Sequence, residues 1–114
     1  MADEVIYVDF GEGARRVMNN AKLYVKLLTK FKNDTRLDDL AAALGTANLE
    51  QARSEAHKIK GLAANLSLTE LYKQSLELET QIKAGAVEPG KMETVQAVFT
   101  QTVQEVEKVI AQNG

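Results

Sequence analysis

Ala56-His57-Lys58-Ile59-Lys60-Gly61-Leu62-Ala63-Ala64-Asn65-Leu66 is the stretch in which the fold and the chemistry of the chain are both legible. Ala56, Ile59, Ala63 and Leu66 recur at intervals of three and four, and Ala52 and Leu49 extend the pattern backwards. That period describes one helix with a buried seam. His57, the single histidine of the chain, falls beside the seam, in a flanking stripe with Arg53, Lys60 or Gly61, and Ala64. Positions three and four apart are neighbours on a helix, so Lys60 and Gly61 both border His57. A nucleophile, a cation and a gap share one small patch. Glycine in a helix interior costs roughly 1 kcal/mol against alanine, and close approach of a partner to His57 supplies a reason for it.

Downstream, Ser67-Leu68-Thr69-Glu70 has the form of a capping box, with Leu66 and Leu71 as its hydrophobic staple, which predicts a sharp hairpin into a second helix. That helix carries Leu68, Leu71, Ser75, Leu78 and Ile82 on its seam, is flanked by Tyr72 and Leu76, and stops at Gly85. Pro89 suits the first turn of a last helix running to about Ala111, with Met92, Val95, Phe99, Thr102, Val106 and Val109 inward. Upstream, Asn48 caps the central helix. Leu37, Leu40, Ala41 and Leu44 make a short helix that Asp34 or Thr35 caps and Gly45 ends. Leu23, Tyr24, Leu27, Leu28 and Phe31 make another, closed by Asn33-Asp34. Asp9-Phe10-Gly11-Glu12 resembles a capping box that starts a helix from Phe10 to about Met18, and residues 1–8 read as an arm lying on the rest. Four long seams joined by short connections predict an all-α fold, an antiparallel up-and-down four-helix bundle with short additional N-terminal helices covering one end. Caps and glycines interrupt the seams too often for a coiled-coil oligomer, which favours a monomer.

The chain has 114 residues, enough for one domain spanning 1–114. With 14 basic and 16 acidic side chains it lacks the basic footprint of a nucleic-acid binder. Without cysteine and with one histidine it cannot build a disulfide framework or an ordinary zinc or iron-sulfur site, and no metal is expected. No apolar run is long enough to span a membrane, and the start Met1-Ala2-Asp3-Glu4 is acidic where a signal peptide is basic. The expected location is the cytoplasm, with no membrane partner.

A neutral imidazole presents a nucleophilic nitrogen that accepts a phosphoryl group. Catalysis of that transfer is mostly positioning and nearby positive charge. Lys60 is placed to supply the charge, with Lys58 and Arg53 adding a weaker field. The competing reading is plain: a solvated histidine and solvated lysines on a helix surface, with Gly61 only letting another helix near. Glu77 and Glu79 read as solvent-facing carboxylates, unless one reaches the edge of His57 across the hairpin.

His57-Lys58-Ile59-Lys60-Gly61 on a helix that ends in small residues before a hairpin resembles the signature of the histidine-containing phosphotransfer (HPt) domain. Gly13, Arg16, Leu23-Tyr24 and Leu27-Leu28 with Phe31 resemble its amino-terminal helices, and Leu78-Glu79 the Leu-Glu pair of its following helix. Where the family commonly has glycine, this chain has Ser67. The resemblance implies His57 as phosphoacceptor, Lys60 as stabilising cation and Gly61 as the residue that leaves room for a partner, and Arg53, Lys58, Gly61 and Ala64, on and beside the flanking stripe, make the expected partner-binding face. It also implies Glu79 as a carboxylate that orients the histidine, as in chemotaxis kinases. The implied function is a relay between receiver-domain aspartates of response regulators and a hybrid histidine kinase. Magnesium is then expected on the receiver and no cofactor on this chain. The chain has no nucleotide-binding glycine loop, so it is expected to be a carrier and not a kinase. Two alternatives remain: a phosphotransfer domain cut from a larger hybrid or chemotaxis-type kinase, against which Met1 and the self-contained end favour a free-standing protein, and a helical module that binds receivers without accepting phosphate.

Overall fold

The computed structural model describes residues 5–34 and 36–113. Among them the chain forms six helices and no strand: α1 (Phe10–Arg16), α2 (Ala21–Phe31), α3 (Arg36–Gly45), α4 (Leu49–Asn65), α5 (Thr69–Ala84) and α6 (Lys91–Asn113). None of them is long and apolar enough to cross a membrane. The fold is an all-α bundle in which α4 packs against α5 and α3, α6 packs against α5 and α2, and α1 rests on α2.

The seam residues explain why α4 is central. Ala52, Ala56 and Ala63 are fully buried, and their small side chains let neighbouring helices approach closely. Ile59, Leu71, Leu78, Val95 and Val106 fill the space between, in one connected core with Tyr24, Leu28 and Phe31. Fully burying each large aliphatic side chain contributes about 1.5–3 kcal/mol. Leu23 and Leu49, expected on the seams, stay exposed. The inward face of α2 is filled by Tyr24, Val25, Leu28 and Phe31, and Leu49 is the first residue of α4.

Helix ends follow the expected signals in part. Asp9, Asn20 and Asn48 cap α1, α2 and α4 through their side chains, each satisfying an N–H that the helix leaves unpaired, and Gly85 closes α5 at φ 69°. Asp34 Oδ1 accepts the Arg36 N–H at the start of α3, while Thr35 and residues 1–4 lie outside the described residues. Helix α3 ends on Gly45 as expected, with the chain turning at Ala47 (φ 57°). Other ends are corrected. Helix α1 stops at Arg16, because Met18 and Asn19 take left-handed backbone; Pro89 precedes α6, which starts at Lys91 after Gly90 (φ 81°).

The main correction concerns the α4–α5 turn. Ser67 does not cap α5: it sits at φ 56°, the N-cap Leu68 offers no side-chain acceptor, and the Glu70 N–H donates instead to the Ile6 carbonyl at 2.9 Å. The left-handed region costs a residue with a Cβ about 1–2 kcal/mol, which accounts for the suitability of glycine there. Here the Ser67 hydroxyl offsets part of that by donating to Glu12 Oε1 at 2.8 Å, so Glu12 serves the turn and does not close its own capping box. The Asp9 N–H donates to the Ser67 carbonyl at 2.9 Å. The Tyr24 hydroxyl donates to the Leu66 carbonyl at 2.6 Å. Burial, reinforced by the charges of Asp9 and Glu12, pushes the Tyr24 phenol up to about 12, so it remains a neutral donor. The turn that ends α4 is thus fastened by α1, α2 and the arm before α1.

Gly13 makes this fastening possible. A Cβ at position 13 would lie 2.0 Å from Tyr24 Cζ and 2.4 Å from its hydroxyl oxygen, far closer than van der Waals contact. Replacing Gly13 with alanine is expected to overpack that contact and lower stability by roughly 1–3 kcal/mol, measured as a reduced urea midpoint with an unchanged m-value.

Candidate functional site

The α4–α5 hairpin brings the flank of one helix onto the flank of the other, and the contact is made by charge. Glu79 lies next to Leu78 on α5, at the edge of the seam, and its side chain is 5% exposed. It is not the solvent-facing carboxylate that its position suggested. Its Oε2 is 3.0 Å from His57 Nδ1, its Oε1 is 2.7 Å from Lys60 Nζ, and Lys83 Nζ stands 3.9 Å from Oε2. Burial alone pushes a carboxyl group up. The hydrogen bonds and charges of Lys60 and His57 outweigh it and hold Glu79 below the ordinary value of 4.5.

An ionised carboxylate only accepts hydrogen bonds. Glu79 therefore selects the His57 tautomer whose proton is on Nδ1, and the lone pair is left on Nε2. The His57 side chain is 66% exposed, so Nε2 is open to solvent while Nδ1 is fixed. Lys60, by contrast, is only 21% exposed, its ammonium drawn to the carboxylate beside the imidazole.

The remaining residues divide between three cavities. Arg53, His57, Lys58 and Lys60 line one of about 440 Å³ together with Glu79 and Lys83. Gly61 lines a second, of about 340 Å³, which also touches His57 and Lys58 and has Arg36 of α3 on its wall. Ala64 lines neither of these. It borders a third cavity of about 280 Å³ with Tyr72 of α5 and Arg16 of α1, two helical turns from His57. The ammonium of Lys58 is engaged by Glu55 Oε1 at 3.2 Å, whereas Arg53 has no ion-pair partner among the described residues. At Gly61 a Cβ would meet nothing within 4 Å, so no helix packing requires the glycine. Glu77 is tied to Lys91 at 2.6 Å, away from His57.

Lys83, Arg36 and Glu50 are charged residues of the site that sequence spacing missed. Lys83 follows Glu79 by four residues, so its place on the same face was available once Glu79 was known to point inward. Arg36 had no such signal, because only the packing of α3 on α4 brings it there.

A family model described as the Hpt domain matches residues 27–112, which includes the C-terminal part of α2, all of α3, α4 and α5, and nearly all of α6. No curated protein and no solved structure matches the chain.

Because the folded-state pKa of Glu79 is depressed, its ionisation favours the native state above the ordinary carboxyl value, and that contribution is lost as pH falls through the lower folded value. Wild type is expected to lose stability relative to Glu79→Gln below about pH 4.5, with the two converging at acid pH. Urea denaturation of both proteins at a series of pH values checks this; a constant difference across the series would contradict the ionised carboxylate.

Proposed function

The chain belongs to the Hpt domain family, and on that premise we propose that it is a phosphoryl carrier, taking the group onto His57 from the aspartyl phosphate of one receiver domain and handing it to the aspartate of another. Hpt domains work in phosphotransfer within two-component signalling, where they meet receiver domains and histidine kinases. The observation that supports the role of His57 most directly is the pairing of a buried, ionised Glu79 on Nδ1 with an imidazole that is otherwise exposed.

In this reading Nε2 attacks the phosphorus of the aspartyl phosphate. The N–P bond forms as the P–O bond to the aspartate breaks, and the freed carboxylate stays on the receiver. Positive charge that develops on the imidazole is stabilised through the Nδ1 proton by Glu79, which needs no rearrangement to do so. Lys60 offers its ammonium to the oxygens of the transferring group. Phosphoryl transfer asks the protein mainly for position and charge, and magnesium comes with the receiver. Arg53, Lys58, Gly61 and Ala64 form the face toward the partner. The carrier has no ATP-dependent kinase activity of its own and works as a cytoplasmic monomer, with α2, α4, α5 and α6 as its up-and-down four-helix frame.

The test is transfer from a radiolabelled, phosphorylated receiver. Wild type is expected to gain acid-labile label and His57→Gln none. Label on both would remove His57 from the reaction, and binding without label on either would make the protein an interaction module. Gly61→Gln is expected to keep or raise stability, by up to about 1 kcal/mol from helix propensity, and yet to slow transfer at least tenfold because it fills the approach to His57.

A further inference from the structure

Two residues of this chain are poor choices for their own helices, and they face the same cavity. Gly61 weakens the interior of α4, and no packing contact within the fold asks for it. Arg36 is the first residue of α3, where the helix dipole disfavours a cation and favours the acids that follow at Asp38 and Asp39. Lys91, which opens α6, is accounted for by its bonds to Gln74 and Glu77 at 2.7 and 2.6 Å in a buried position. Arg36 has no such burial. Its side chain is 44% exposed, and its only ion pair among the described residues is with Asp34, two residues away, at 3.2 Å. Asp34 also binds the Arg36 backbone N–H at 2.8 Å, so the same carboxylate that starts α3 steadies the guanidinium.

The cavity in question, about 340 Å³, runs beside His57 and Lys58 across Gly61 and Leu62 to Asn65, and among the described residues Arg36 is its one contribution from outside α4. Local misfits that converge on one place mark a site where function overrides local preference. We propose that Arg36 is a docking residue for the phosphorylated receiver: the partner lays a segment across Gly61, and Arg36 binds a carboxylate on the receiver surface beside its loaded aspartate. A guanidinium offers planar paired donors to a carboxylate, and one already held by Asp34 loses little freedom on binding. Arg36 touches the partner and not the transferring group. It therefore sets affinity and leaves the chemical step to His57, Lys60 and Glu79. This assignment rests on the relay reading above.

The experiment compares wild type with Arg36→Ala and Arg36→Glu in transfer from a receiver loaded with radiolabelled phosphate, over a range of receiver concentrations. An acid at the start of α3 suits the helix dipole, so Arg36→Glu is expected to keep its helical circular dichroism and urea midpoint, and unfolding cannot account for a loss of transfer. The KM for the receiver is expected to rise about tenfold for Arg36→Ala and further for Arg36→Glu, with kcat within about twofold of wild type. The KM of wild type should also rise more steeply with salt than that of Arg36→Ala, since a charge pair is screened. An unchanged KM in Arg36→Glu, or a fall confined to kcat, overturns the docking role while leaving the relay reading intact. No label on wild type overturns both.

Discussion

A carboxylate with 5% of its surface exposed stays charged only if cations are brought to it, and the site is arranged around that requirement at Glu79. Removing an unpaired ion from water is prohibitively costly, so a buried acid either neutralises or finds partners. Glu79 finds them on the neighbouring helix. His57 and Lys60 are held in register by one anion, and the α4–α5 packing is locked to the register that satisfies it. A slip of either helix along the other would separate the anion from its cations. The same contact fixes the rotation of the imidazole, so structural and chemical specificity share one group.

That register depends in turn on how the hairpin is closed. The turn residues Leu66 to Glu70 are fastened by the Tyr24 hydroxyl, the Glu12 carboxylate, the Asp9 N–H and the Ile6 carbonyl. Each comes from the first 24 residues of the chain, all of them N-terminal to the part that matches the family model at 27–112. The hairpin itself carries His57, Lys60 and Glu79, and the segment before it removes the freedom of the turn. Long-range bonds of this kind cost more chain entropy to form than local caps, and they tie the far end of α4 to the bundle.

The α4 stretch was legible because its signals are local. Helical period, the Asn48 cap and the stripe containing His57 all follow from spacings of three and four. The buried alanines confirm the seam residue by residue from Ala52 to Leu66. The Ser67-x-x-Glu70 motif misled for the opposite reason. Its pattern is local, but the partner that won the Glu70 N–H is a backbone carbonyl at Ile6, which no side-chain pattern encodes. Glu79 was half legible: its position on the edge of the α5 seam is visible, but whether an edge residue turns in or out depends on the charge opposite, and Lys60 decided it. Arg36 was invisible, because nothing in the sequence near it points to α4.

The exposed imidazole has one open nitrogen and one solvent-facing side. In the relay proposed above, whatever delivers to that atom would cover it, and so would whatever collects from it. Donor and recipient could then not be seated together, and the traffic would be a queue of single visitors. Its throughput would be bounded by how soon each one leaves, which rewards a face that grips briefly over one that grips hard.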